Sequence, residues 1–277
     1  MMNVLYCGDN VGWFGMEASI FSLLTHNKEV NIYVFSMDYD RELPDGGIEH
    51  FTGIVEWQKD KLRKIVQYLD PKRSKITFID TLEYYNQYFL HGCNENDGHS
   101  SPYAPLRLIA DIVLPTVPHL LYLDCDTIIQ GDIEGTYKEF LNKLNDSKDN
   151  TAYAARVLEF SDRKEMVAGV LLIDLNKARR VKLFEKARYN ITHNFYMWYD
   201  QSALEEAGKC LDLPETFNYM NEYEYRSYTP LILHFADRLA PKVYFEREVF
   251  FKKFPHLEYI RTGCDLVGSL ELKYKEV

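Results

Sequence analysis

With 277 residues, of which 46% are apolar and 27% charged, the chain has the length and balance of one large globular domain or two small ones. Its net charge of −10 argues against a nucleic-acid surface, which needs a basic stripe, but not against a nucleotide whose phosphates meet a bound cation. No run approaches the ~20 apolar residues of a membrane-spanning helix, and the opening Met1-Met2-Asn3-Val4-Leu5-Tyr6 has no basic segment or long apolar run of a signal peptide.

The first hundred residues alternate strand and helix. Residues 3–7 and 31–36 read as short buried strands. Between them Met16, Ile20, Leu23 and Leu24 fall on one helical face. Leu62, Ile65, Val66 and Leu69 make a second amphipathic helix, stopped by Asp70-Pro71. Residues 75–79 read as a third strand, 81–90 as a helix and 91–101, polar and glycine-containing, as a loop. A helix is predicted over 106–114, ended near Pro115 and Pro118, then a strand over 120–123. Further strands are predicted at 152–157, 169–175 and 231–235, with helices at 177–189 and 200–207. This order suggests an open mixed sheet in one α/β domain.

Cys7, Cys93, Cys125, Cys210 and Cys264 form no Cys-x-x-Cys pair and no zinc-ligand spacing, which fits reduced thiols in a cytoplasmic protein. The 21 tyrosines and 16 phenylalanines include faces suited to sugars, although most such rings pack in cores.

The segment His-Leu-Leu-Tyr-Leu-Asp-Cys-Asp-Thr-Ile-Ile, residues 119–129, delivers two carboxylates from an apolar strand. In a strand, residues two apart share a side, so Asp124 and Asp126 converge while Cys125 turns toward the packed side. Two carboxylates so placed repel unless a proton or a metal relieves them. The carboxyl end of a buried strand opens into the crevice where α/β sheets bind ligands, so the pair suits a divalent cation holding a phosphorylated substrate. The alternative is a polar turn whose carboxylates cap backbone amides.

Five segments in order resemble glycosyltransferase family 8, the retaining enzymes that include bacterial lipooligosaccharide galactosyltransferases and glycogenin. Tyr103-Ala-Pro-Leu-Arg107-Leu followed by Leu121-Tyr-Leu-Asp-Cys-Asp126 resembles its Tyr-x-Arg-Leu … Tyr-Leu-Asp-x-Asp block. Ala168-Gly-Val-Leu-Leu-Ile-Asp-Leu175 resembles its Asn-x-Gly-Val-Leu-Leu-Ile-Asn-Leu strand, and Asp200-Gln201-Ser-Ala-Leu204 its Asp-Gln-Asp-x-Leu helix start. Leu233-His234-Phe235 resembles its late metal histidine, and Tyr6-Cys-Gly-Asp9-Asn10 its uracil-binding loop. The resemblance spans residues 3 to about 245. It implies a single-domain, Rossmann-like nucleotide-sugar transferase fold of the GT-A type, with a transferase domain at 1–245 and a C-terminal extension at 246–277 packed on it.

On that resemblance the protein is a hexosyltransferase, moving glucose or galactose with retention from a UDP-sugar to a saccharide or glycolipid acceptor in lipopolysaccharide or cell-surface polysaccharide synthesis. Asp124, Asp126 and His234 hold Mn²⁺, with Mg²⁺ as the alternative; oxygen ligands plus one imidazole suit Mn²⁺ better. Tyr6, Asp9, Asn10, Arg107 and Cys125 join Arg238 and Lys242 at the donor. Asp200 and Gln201 lie beneath the anomeric carbon, Gln201 stabilising developing charge and Asp200 orienting hydroxyls. Simpler readings stand beside these: a turn for Asp9 and Asn10, a helix-surface arginine for Arg107, a core histidine for His234 and a helix N-cap for Asp200.

The sequence departs from the family at four places: Val11 for the uracil-stacking tyrosine, Val167 for the asparagine ahead of Gly169, Asp237 for a glycine, and Ala240 for the pyrophosphate lysine. Val167 and Ala240 keep open a nucleotide-sugar-binding protein without transferase activity. Asp124-Cys-Asp126-Thr127 also resembles the haloacid dehalogenase phosphatase motif, the alternative enzyme class. The aromatic, lysine-bearing tail beyond Val243 reads as a packed helix or as a peripheral contact with the inner face of a membrane.

Overall fold

The computed structural model describes residues 1–43, 45–89, 101–159, 164–196, 198–220, 230–235 and 255–270. The chain opens with β1 (Met2–Cys7), α1 (Trp13–His26) and β2 (Val30–Ser36). A hairpin of β3 (Tyr39–Glu42) and β4 (Ile48–Phe51) precedes α2 (Glu56–Leu69), β5 (Lys75–Asp80) and α3 (Leu82–Tyr88). A 3₁₀ segment (Ala104–Ile109) runs into the short α4 (Ala110–Val113), then β6 (His119–Leu123), β7 (Thr127–Ile129) and α5 (Glu134–Asp146). Next come β8 (Tyr153–Glu159), β9 (Lys164–Asp174), α6 (Leu175–Arg180), α7 (Leu183–His193) and α8 (Tyr199–Ala207). β10 (Cys210–Asp212), β11 (Tyr219–Met220), β12 (Ile232–His234) and α9 (Glu258–Ser269) complete the described elements.

Among the described residues the central sheet has the order β10-β8-β9-β6-β1-β2-β5. β1, β2, β5 and β6 are parallel, while β9 runs antiparallel to β6 and β8. The apolar runs of β1 and β6 follow from burial on both faces. Val4, Tyr6, Leu121 and Leu123 face the cluster built with α1, α2, α5 and α9, whereas Leu5, Cys7, Leu120 and Tyr122 face the one built with α3, α7 and α8. Truncating one of these leucines removes about 2–5 kcal/mol.

From β1 the chain moves to β2 and β5 on one side and returns to β6 on the other, so the direction of winding reverses between β1 and β6. Strand carboxyl ends diverge there and leave a crevice. A second sheet, β11-β12-β7, lies beside it, with His234 opposite Thr127 in the antiparallel β12–β7 pair.

Three features differ from the sequence pattern. The predicted helix over 177–189 is two helices, because Lys182 adopts a left-handed backbone (φ 58°) between α6 and α7. The segment 106–114 is 3₁₀ up to Ile109, with Pro105 near its start, and α-helical only over Ala110–Val113. β6 ends at Leu123, so Asp124, Cys125 and Asp126 form a turn rather than a strand end. α9 buries Ile260, Cys264 and Val267 in the cluster containing α1 and α2.

Candidate active site

Asp124, Asp126 and His234 come together at the crevice between β1 and β6, each offering a ligand atom within 4.8 Å of the others. His234 Nε2 is 3.5 Å from Asp124 Oδ2 and 3.5 Å from Asp126 Oδ1. The convergence is made by a turn and a second sheet, not by alternation along one strand. The Asp124 amide donates to Gly169 O on β9 (2.8 Å), and the Phe235 amide donates to Asp126 O (3.0 Å), tying β12 to the turn.

Below the turn runs a buried polar ladder. Tyr6 Oη and Ser19 Oγ are 2.9 Å apart, Ser19 Oγ and Thr127 Oγ1 are 3.0 Å apart, and Thr127 donates to Asp124 O (2.8 Å). α1 can press against it because residue 15 is glycine: a Cβ there would lie 2.6 Å from Cys125 O. Tyr6 is therefore placed differently from the donor role expected of it. Its ring is fully buried under α1, so it supports the turn and does not face the cleft.

Burial penalises an imidazolium at His234, but Asp126 and Asp124 outweigh it and push the histidine well above its ordinary value. Burial likewise raises Asp124, but His234, Arg107 and Tyr122 together bring its carboxyl below the usual range. Tyr122 donates to Asp124 Oδ1 (2.5 Å), while Oδ2 faces His234. Two carboxylates and one imidazole nitrogen at such spacing are a donor set for a hard or borderline divalent cation. His234 also has room: a Cβ at residue 169 would overlap its ring, and Gly169 provides none. The residues fit a metal ion.

Arg107 is the hub linking the aspartates to the start of α8. Its guanidinium pairs with Asp200, donates to Ala168 O (2.6 Å), lies 3.6 Å from Asp124 Oδ1 and sits 4.6 Å from the Tyr122 ring centroid. Burial disfavours its charge, but Asp200, Tyr122 and Asp124 hold it well above its ordinary value, so it stays cationic. Burial pushes Asp200 up, against the pull of Arg107. Tyr199, the first residue of α8, takes a positive φ of 43°, which marks strain at the entry to this helix. Gln201 Oε1 accepts from the Ala168 amide (3.1 Å), so Gln201 and Arg107 grip the same residue of β9.

Next to these groups lies a cleft of about 300 Å³, lined by Gly8, Asp9, Tyr103, Asp124, Cys125 and Asp126 among others. Asp9 Oδ1 accepts from the amides of Gly12 (2.6 Å) and Val11 (3.1 Å), closing a turn ahead of α1. Burial raises its carboxyl against those two bonds. Asn10 is clamped by its backbone: its amide donates to Thr52 O (3.0 Å), and its carbonyl accepts from Gln58 Nε2 (3.0 Å). Cys125 Sγ contacts Cys7 O (3.3 Å) on the inner side of the cleft. Arg238 and Lys242, like Asp237 and Ala240, lie outside the described residues.

Residues 3–239 match the family described as Glycosyl transferase family 8. The chain belongs to glycosyl transferase family 8. No curated protein matches this family 8 chain in sequence. Among solved structures it is similar to the galactosyltransferase LgtC in complex with donor and acceptor sugar analogs, with TM-score 0.63, 15% identity, and coverage of 99% of this chain and 98% of that one. It is also similar to the bifunctional glycosyltransferase WbbM (TM-score 0.63, 13% identity, 94% of this chain and 51% of that one). GlyE of Streptococcus pneumoniae TIGR4 gives TM-score 0.58 and 18% identity over 97% of this chain and 63% of that one. The chain thus spans about half of WbbM and under two thirds of GlyE. At these identities the likeness is one of fold, the mixed α/β GT-A type.

Three residues take parts in this family 8 site that the sequence motifs do not assign to them. Tyr122 orients Asp124 from the preceding strand, Gln58 clamps the Asn10 loop, and Asn218 contacts His234 from a part of the chain that reads as plain loop. The one hint for Asn218 is its setting between the apolar Phe217 and Tyr219.

Proposed function

We propose that the protein is a retaining hexosyltransferase that moves glucose or galactose from a UDP-sugar to a saccharide or glycolipid acceptor, with Mn²⁺ as cofactor and Mg²⁺ as the substitute. The observation that carries this reading is the convergence of Asp124, Asp126 and His234 at the reversal between β1 and β6, beside the cleft. Asp124, Asp126 and His234 would hold the metal, which when bound neutralises charge on a leaving diphosphate without proton transfer.

The chain's own groups supply the rest. Asp9, which lines the cleft, and its neighbour Asn10 are assigned to uracil and ribose, with Cys125 at the inner wall. Arg107, kept cationic, contributes fixed positive charge behind Asp124, and Arg238 and Lys242 remain the proposed partners of the phosphates. In transfer the bond from C1 of the sugar to the phosphate oxygen breaks and a bond from C1 to an acceptor oxygen forms. The acceptor proton passes to the departing phosphate in a front-face reaction, and a protein carboxylate attacks first in a double displacement. Gln201 is an amide and a poor nucleophile, so its oxygen stabilises positive charge as the bond breaks. Asp200 is already engaged by Arg107, which favours an orienting part for it.

The phosphohydrolase alternative is weaker because it requires Asp124 to attack phosphorus, whereas Tyr122 and Arg107 occupy Oδ1 and His234 faces Oδ2. We place the transferase unit at 1–245 with the extension 246–277 packed on it. We assign the protein to the cytoplasm, with peripheral contact at the inner face of a membrane as the alternative, in lipopolysaccharide or cell-surface polysaccharide synthesis. No described helix is long and apolar enough to cross a membrane. Calorimetry with UDP, with and without Mn²⁺, tests the reading: binding should require the metal, and equal affinity in EDTA would refute it.

A further inference from the structure

We propose that Asn218 is a positioning residue that aims His234 at the cation, by accepting the Nδ1 proton of the ring so that Nε2 is the nitrogen presented to Asp124 and Asp126. The proposal rests on the reading of Asp124, Asp126 and His234 as metal ligands.

The argument starts from the amide. Asn218 is fully buried, so each of its polar atoms needs a partner. It lies 3.4 Å from Val167 O and 3.0 Å from His234 Nδ1. A carbonyl oxygen only accepts, so the NH₂ end of Asn218 must face Val167. That leaves Oδ1 facing the imidazole, and an amide oxygen only accepts in turn. Nδ1 therefore carries a hydrogen, and coordination falls to Nε2, 3.5 Å from a carboxylate oxygen of each aspartate. A ligating histidine is commonly oriented through its other ring nitrogen in this way.

The surroundings leave Asn218 little freedom. Its own carbonyl accepts from Arg156 Nη1 (2.9 Å), and Arg156 pairs with Glu215 (3.2 Å). The residue immediately precedes β11, whose Met220 pairs with His234 of β12, so the small sheet brings Asn218 beside the ring. On the far side the ring meets Gly169, where no side chain fixes its rotation. Asn218 is thus the directional contact at Nδ1, opposite the nitrogen that faces the aspartates. Val167 enters only through its main chain, so the valine at this departure from the family pattern leaves the contact intact.

The test uses the full chain without nucleotide and reads Mn²⁺ binding from the loss of the free-ion paramagnetic resonance signal. Circular dichroism and thermal melting report the fold. Asn218→Leu removes the acceptor and should weaken Mn²⁺ binding by about 10–100-fold. Asn218→Asp keeps an oxygen toward Nδ1 and should bind Mn²⁺ close to wild type, even if loss of the Val167 bond lowers its melting temperature. A folded Asn218→Leu with wild-type affinity overturns the proposal. So does an Asn218→Asp that folds yet binds weakly, and this second variant decides the matter if the leucine variant does not fold. A wild-type protein that binds no Mn²⁺ overturns the metal reading itself, and the proposal with it.

Discussion

The imidazole of His234 occupies the space that a side chain on residue 169 would take: a Cβ built on Gly169 would lie 2.7 Å from Nδ1 and closer still to Cε1 and Nε2. Backbone strain is not the reason for this glycine, since the ring itself is the obstacle. Gly169→Ala should therefore displace His234 from Asp124 and Asp126 while leaving β9 paired, because a methyl group is tolerated by an extended strand. Mn²⁺ affinity should fall by at least about tenfold, as for loss of a group that orients a ligand. Wild-type Mn²⁺ binding in a folded Gly169→Ala protein would contradict this geometry.

Asp126→Asn should abolish sugar transfer and leave the fold intact. The side chain is about a quarter exposed, so an amide of the same shape costs little in packing. It does remove a charge from the metal site, and metal stabilisation of a leaving group typically accounts for several kcal/mol of a barrier. Release of UDP from the donor, measured beside a melting curve, separates the two effects. Asp124→Asn should be at least as damaging, because Tyr122 and Arg107 are built around its carboxylate.

Most of the sheet was legible because buried parallel strands are unbroken apolar runs, as 3–7, 31–36 and 120–123 show. The hairpin at 39–51 was not. Its strand Tyr39-Asp-Arg-Glu42 is polar, and among the described residues it pairs only with Ile48–Phe51. No element is predicted between 130 and 151, although Tyr137, Phe140 and Leu144 are spaced as one helical face and are buried. The two aspartates could be read from their motif. That His234 stands opposite Thr127 depends on pairing across more than a hundred residues, which no local pattern encodes. The contact of Asn218 with His234 likewise emerges only from the fold.

Gln201→Ala should lower kcat far more than it changes the donor KM. A contact that strengthens only as the glycosidic bond breaks contributes to the transition state and not to ground-state binding. The loss should be on the order of 10²-fold, as for one preorganised dipole. Product stereochemistry should stay retained. A glycosyl adduct trapped on Asp200 would instead make that carboxylate the nucleophile, and one on Gln201 would overturn its assignment as a stabiliser.

Away from the site, Asp70 should make stability depend on acid pH. Its carboxylate accepts from the Glu29 amide (2.9 Å), Ser74 Oγ (2.7 Å) and Arg73 Nε (3.3 Å). Burial opposes these bonds, but they prevail and hold the group below its ordinary value. The stabilisation is then complete above the unfolded value near ~3.9 and is lost as pH falls through the lower folded one. Asp70→Asn should melt below wild type at neutral pH, and the gap should close below about pH 4. A gap that stays constant down to pH 2 would show that the charge is not responsible.

The last test concerns Arg107 and Asp200, both buried and paired with each other. Arg107→Met strands the Asp200 carboxylate, removes the donor to Ala168 O and leaves Asp124 without its nearby cation. Breaking a buried pair from one side costs about 3–5 kcal/mol, whereas replacing both partners with apolar groups is often close to neutral. Arg107→Met should therefore be strongly destabilised, and the double variant Arg107→Met/Asp200→Leu should recover most of that loss in urea unfolding. Activity should not recover with it, because the cation behind Asp124 and the carboxylate beside Gln201 are both gone. If the double variant is as unstable as the single one, the Ala168 contact and not the ion pair holds this corner of the site together.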